Sequence, residues 1–206
     1  MKKIVIFGST GMTGLCALEA AVKKGLSVRV LVRDPAKVPA HLKEKVEILE
    51  GDVVNKPQTV QDAVDGVDGV VVILGTRNRL EATTDLSVGL KNILEAMAAK
   101  NVKPVSVCLS AFLFYAPEKV PKMFVDLNED HKRMFELLKT SSADWIAVFP
   151  PHIADEPSRE VIIEVNPKQS PARSISKWDL GQFFVDSLSE PKYYKSIIGI
   201  ANAPKQ

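Results

Sequence analysis

The chain has little of what several protein classes require. It holds two cysteines, Cys16 and Cys108, in 206 residues, too few for a disulfide framework. Both sit among apolar residues and are expected to be buried free thiols in a reducing compartment. The three histidines, His41, His131 and His152, lie far apart with no Cys/His spacing around them, so no metal site is expected. No block of one charge sign occurs. The net charge of +2 comes from interspersed lysines and glutamates, which leaves no footprint for nucleic acid. Charge or glycine cuts every apolar run within about ten residues, well short of the roughly 20 that span a bilayer. A signal-peptide pattern is also lacking, so the expectation is a soluble, cytoplasmic protein with no membrane partner. The Gly-x-Ser-x-Gly elbow of hydrolases is missing, as are internal repeats, low-complexity stretches and linkers. The length suits one domain over residues 1–206 with a substantial core.

What is present is concentrated first in residues 1–14. Ile4, Val5, Ile6 and Phe7 form a continuous apolar run, the mark of a parallel strand covered on both faces. Gly8, Gly11 and Gly14 follow at G-x-x-G-x-x-G spacing. Gly8 is expected to make the turn, Gly11 to let the backbone approach a ligand, and Gly14 to let the next helix pack closely. That helix reads over 12–24, with Leu15, Leu18 and Val22 on one face and Gly25 as its stop. Its free N–H groups and dipole suit a pyrophosphate. A strand–glycine loop–helix unit of this kind points to dinucleotide binding.

Strand and helix signals then alternate. Strands are predicted over 27–32, 46–50, 69–74, 105–109, 144–149, 160–165 and 196–200. Helices are predicted over 57–64 and 83–100, from Pro121 through Leu138, and from Ser176 to Leu188. The alternation predicts an α/β fold with a doubly wound, mostly parallel sheet of the Rossmann type. Ligands of such sheets bind outside the carboxyl ends of the strands, where the strand order reverses. The loops beginning at Gly8, Arg33, Gly51, Gly75, Ser110 and Pro150 therefore share one edge.

Arg33, the first residue after the second strand, can hold a 2′-phosphate, with Lys37 adding charge. Asp34 stands at the spacing of an acid that reads a free 2′-hydroxyl, so NADP(H) is the favoured cofactor and NAD the alternative. Asp52 can accept from the adenine amino group while Val53 packs on the ring; a plain Asp turn is the competing reading. Thr76 and Arg77 should pass under the ribose and nicotinamide, unless Arg77 is a surface charge. Ser110 can place a hydroxyl near the nicotinamide, and His152 can face a substrate as a proton donor or simply close its loop. Tyr115-Ala-Pro-Glu-Lys119 matches the Y-x-x-x-K string of short-chain dehydrogenases. The match is accidental, because Pro117 breaks the helical turn that would bring both side chains to one face.

With those residues in view, the chain resembles the biliverdin-IXβ reductase family, also called NADPH-dependent flavin reductases, atypical members of the short-chain dehydrogenase superfamily. The stretches that carry the likeness are residues 3–14, Leu31-Val-Arg-Asp34, Gly51-Asp-Val53, Leu74-Gly-Thr-Arg-Asn78, Ser110-Ala-Phe112, Lys119-Val-Pro121, Pro150-Pro-His-Ile153, Ile175-Ser-Lys177 and Asp179-Leu-Gly181. The resemblance implies hydride transfer from NADPH to flavins (FMN, FAD, riboflavin) and biliverdin-IXβ-type tetrapyrroles, with a flavin or bilin as small-molecule partner and a monomeric protein. It assigns Gly8, Thr10, Gly11, Thr13, Gly14, Arg33, Asp52, Val53, Thr76 and Arg77 to NADP(H). Ser110 and His152 become the catalytic candidates, and Phe112 and Arg173 fall to the acceptor, on a less regular segment at about 150–175. The family carries tryptophan where Tyr115 stands, arginine at Lys37 and histidine at Trp178, and residues 157–170 follow no family pattern. A non-catalytic NADP(H)-binding redox sensor of the NmrA-like type is the alternative; it would keep residues 8–14 and have no need of Ser110 or His152.

Overall fold

The protein is described from a computed structural model over residues 1–76 and 79–204. Its elements run β1 (Lys3–Phe7), α1 (Met12–Lys23), β2 (Ser27–Val32), α2 (Ala40–Lys43), β3 (Val46–Glu50), α3 (Pro57–Val64), β4 (Gly69–Val72) and α4 (Asp85–Ala99). They continue with β5 (Pro104–Cys108), α5 (Val125–Thr140), β6 (Asp144–Phe149), β7 (His152–Ala154), β8 (Val161–Val165), β9 (Ser174–Ser176), α6 (Lys177–Ser187) and β10 (Ser196–Asn202). Eight strands form one sheet in the order β3-β2-β1-β4-β5-β6-β10-β8, and β7 pairs with β9 apart from it. Within the large sheet only the edge strand β8 runs antiparallel, against β10. The fold is α/β, a doubly wound, mostly parallel Rossmann-like sheet with helices on both faces.

The apolar runs of the inner strands follow from this double cover. Side chains alternate along a strand, so Val5 and Phe7 of β1 join the core under α3, α4 and α5. Ile4 and Ile6 join the core under α1 and α6. β4 divides in the same way, with Val70 and Val72 on one side and Val71 on the other. Each such side chain, fully buried, contributes about 1.5–3 kcal/mol. The layer of α1 and α6 is tight: a Cβ at Gly181 would stand 2.7 Å from the Ala17 nitrogen.

Strand order reverses at β1, which lies between β2 and β4. Backbone bonds tie neighbouring strand exits together there. Gly51 N donates to Val32 O at 2.9 Å, Ile73 N to Phe7 O at 2.9 Å, and Ala111 N to Pro150 O at 3.0 Å. Some predicted boundaries move. β4 ends at Val72 rather than Leu74, although the Ile73 amide still pairs with β1. The helix expected from Pro121 opens as a single 3-10 turn, Lys122–Phe124, before α5 begins at Val125. The strands β7 and β9 were not predicted: at three residues each, they are too short for alternation to register.

Candidate functional site

The glycine loop meets the turn and packing requirements read for Gly8 and Gly14. Gly8 has φ +84°, and a Cβ there would stand 2.1 Å from the Ile73 carbonyl oxygen. A Cβ at Gly14 would stand 2.0 Å from the Gly8 oxygen, so α1 starts directly against the turn. At Gly11 the one atom near a Cβ among the described residues would be Gly8 O, at 3.5 Å, which leaves that side open among those residues. Gly11 is the N-cap of α1, which has no side-chain cap and no acid in its first turn. Such a helix start offers unpaired N–H groups to an anion and puts no carboxylate in its way. Thr13 is buried and Thr10 half-buried in the same loop. The buried Ser9 Oγ, a residue passed over in the sequence, finds no partner among the described residues. A cradle of this kind fits a dinucleotide pyrophosphate.

On the β2 side the structure separates the two candidates for the ribose. Asp34 accepts from Ala36 N at 3.0 Å as a turn cap and pairs with Lys37 at 3.8 Å. Arg33 is exposed. Asp52 forms the Asp turn of the competing reading, its Oδ1 accepting from Val54 N at 2.7 Å and Asn55 N at 3.1 Å. Burial pushes the Asp52 carboxyl up, but those two amides, the Asn55 side chain and the Arg33 guanidinium outweigh it and hold the group below the ordinary carboxylate range. The turn and the adenine role are compatible, because both bonds converge on one oxygen. Thr76 donates its hydroxyl to Arg79 O, while Arg77 lies outside the described residues.

On the other side of the switch point the chain gathers residues distant in sequence. Ser110 caps the turn Ala111–Phe114 by accepting from Phe112 N at 3.2 Å. The bond from Ala111 N to Pro150 O sets this turn against the β6 exit, one residue from Pro151 and two from His152. His152 in turn lies opposite Ser174 in the β7–β9 register, which puts Arg173 beside it. Ser110, His152 and Arg173 thus occupy consecutive positions along one rim, and both His152 and Arg173 are exposed. Phe112 packs edge-on to Tyr115, with ring centroids 5.6 Å apart, and lies 5.0 Å from Phe124. Tyr115 terminates one 3-10 turn and Lys119 closes another, Pro117–Lys119. The two therefore share no helix.

Three further groups hold this edge from behind, and none had a sequence signal stronger than a polar residue in an apolar stripe. Asn92 of α4 donates to Val53 O at 2.7 Å. Asp130 of α5, fully buried, accepts from Leu86 N at 3.0 Å and so caps α4 from a different helix. Arg133 joins it, bonding Asp130 at 3.1 Å and Thr83 O at 2.7 Å. On the same helix, burial pushes the His131 imidazole down to about 4, against the opposing pull of Asp130. The two cysteines are free and buried, as expected; burial raises Cys16 to about 11 and Cys108 to about 12. Among the described residues no group of metal-ligating side chains gathers, and no helix is long and apolar enough to cross a membrane.

A model of an NAD(P)H-binding family matches residues 8–191. The chain belongs to this NAD(P)H-binding family. Solved structures similar to this family member share its fold nearly end to end. A wide-type short-chain dehydrogenase/reductase from Veillonella parvula, solved in complex with NADP, is 17% identical with a TM-score of 0.80, over 98% of this chain and 94% of that one. The oxidoreductase ylbE from Lactococcus lactis is 20% identical with a TM-score of 0.80, over 98% and 92%. ChuY from Escherichia coli, described as an anaerobillin reductase, is 12% identical with a TM-score of 0.81, over 100% and 99%. NAD(P)H is thus the cofactor of the family, and the matched region begins at the glycine loop of residues 8–14.

Proposed function

We propose that the protein is an NADPH-dependent reductase that passes hydride directly to a flavin or a biliverdin-IXβ-type tetrapyrrole. The observation that carries this reading is the aromatic shelf of Phe112, Tyr115 and Phe124 at the β5 exit, beside Ser110 and with no helical Tyr–Lys pair. A flat conjugated acceptor can stack on such a shelf, and stacking serves a direct transfer better than a strong general acid does. With NADPH held by its pyrophosphate in the cradle, its nicotinamide would supply a hydride, carrying two electrons, to the flavin N5 or the bilin methine carbon, and the balancing proton would come from solvent.

Each rim residue has a part in this reading. The Ser110 hydroxyl, with one lone pair engaged by Phe112 N, keeps its proton free to orient the acceptor. His152 and Arg173, adjacent across the β7–β9 pair, offer cationic or donor groups to bilin propionates or the FMN phosphate. NADPH is preferred over NADH because Asp34 is engaged in capping its own turn while Arg33 is left for the 2′-phosphate. One protein of the same fold, ChuY, is described as an anaerobillin reductase, which supports the reading by analogy of fold. The test is to mix the protein with NADPH and FMN, or biliverdin IXβ, and follow the nicotinamide absorbance. Turnover well above background, retained in Tyr115→Phe, is expected. Tight NADPH binding without oxidation would favour the redox-sensor alternative.

A further inference from the structure

Asn92 lies midway along α4, between the buried residues Leu90 and Ile93. Its side-chain amide leaves the helix and donates to two successive carbonyls of the loop after β3, Val53 O at 2.7 Å and Val54 O at 3.3 Å. Residues three apart share a helix face, and three residues earlier stands Gly89. A Cβ there would come 2.8 Å from Val53 Cγ2 and 3.1 Å from Leu74 Cδ1. α4 therefore receives the β3 loop in a notch, with a glycine making the room and an asparagine making the bonds. The start of the loop is tied to β2, where Gly51 N donates to Val32 O at 2.9 Å, and further bonds lie within the loop. Asp52 Oδ1 accepts from Val54 N and Asn55 N, and Asp52 O accepts from Lys56 N at 3.0 Å. These bonds shape the turn and anchor its start; the bonds to α4 hold the Val53–Val54 segment against the helix.

We infer that Asn92 is a positioning residue for the adenine end of the cofactor, acting through the backbone of Val53 and Val54 on the Asp52 carboxylate and the Val53 side chain. The inference rests on the assignment of Asp52 and Val53 to adenine and is independent of the acceptor. An apolar residue in place of Asn92 would strand two carbonyls in a half-buried notch, and the loop would turn towards water to satisfy them. The carboxylate would then leave the place where it can accept from the adenine 6-amino group.

The experiment measures Kd for NADP+ and for its hypoxanthine analogue, which lacks that amino group, on the wild type and on Asn92→Leu, Asn92→Asp and Gly89→Ala, with thermal melts alongside. The wild type is expected to prefer NADP+. The Asn92 variants should bind NADP+ about tenfold more weakly while binding the hypoxanthine analogue within about twofold of wild type, so that the discrimination between the bases collapses. Gly89→Ala reaches the same loop by a different route and should act in the same direction, which keeps the test decisive if Asn92→Leu fails to fold. Equal losses for both dinucleotides, or a lowered melting temperature with both Kd values unchanged, would overturn the inference. A wild type that binds NADP+ yet reduces no flavin would overturn the reductase reading alone.

Discussion

The two halves of the rim are built by different means. From β3 to β4 the candidate residues sit in tight, locally closed turns: Gly8 at φ +84°, and the Asp34 and Asp52 carboxylates each capping an amide two residues on. From β5 to β9 they are side chains on short turns and a three-residue strand pair, brought together from positions 110, 152 and 173 by tertiary contacts. The first half offers a tightly turned loop with the exposed Arg33 side chain beside it, which suits one fixed cofactor. The second presents the exposed Tyr115 ring and the exposed side chains of His152 and Arg173 to water, which would suit acceptors that differ in outline.

The contrast is broken most severely at the glycine loop. Gly8→Ala or Gly14→Ala drives a Cβ to within 2.1 or 2.0 Å of a carbonyl oxygen, which costs about 3 kcal/mol or more. Calorimetric titration should find no NADPH binding in either. The second half has its own stability device in His131, whose imidazole is lowered from 6.5 to about 4 by burial. Since the unfolded chain takes up that proton first, the contribution is complete above pH 6.5 and is lost as pH falls from there to about 4. A depression of that size corresponds to about 3 kcal/mol. His131→Leu should flatten the fall in denaturation midpoint across that window.

Smaller effects sharpen the comparison. Arg33→Ala should weaken NADPH by about 10- to 100-fold, the range of a hydrogen bond to a charged group, and leave NADH within about twofold; equal losses for both cofactors would remove Arg33 from the phosphate site. On the permissive side, Tyr115→Ala should raise KM for FMN by about 3- to 10-fold, the size of an aromatic contact. Tyr115→Phe should leave kcat within about twofold of wild type, because the ring matters and the hydroxyl does not. Near-complete loss in Tyr115→Phe would make the tyrosine a general acid and refute the shelf.

The same division explains what the sequence made legible. Residues 4–7 revealed a doubly covered strand because both neighbouring faces demand apolar side chains, and Gly8 and Gly14 revealed a turn because no other residue fits. Local constraints of that kind leave local signatures. The pairing of β7 with β9 left none: it depends on residues 22 apart in register, and neither strand is long enough to show alternation. Asp130 shows the same limit, since nothing near it in sequence marks a carboxylate that caps a helix more than 40 residues earlier. Ser110 and His152 are singled out in the sequence by their place after strands, whereas the closeness of their two loops emerges only from the bond between Ala111 N and Pro150 O.

The central claim, that a backbone-built cradle and an aromatic shelf combine into one direct hydride-transfer site, is tested most directly by isotope transfer. NADPH deuterated at the transferring position of nicotinamide C4 is incubated with the protein and biliverdin IXβ in ordinary water, and the reduced bilin is analysed by mass spectrometry and NMR. The account predicts one deuterium on the methine carbon, where it cannot exchange with solvent as it would at flavin N5. Reduced bilin without deuterium, or NADPH bound and left unoxidised, would contradict it.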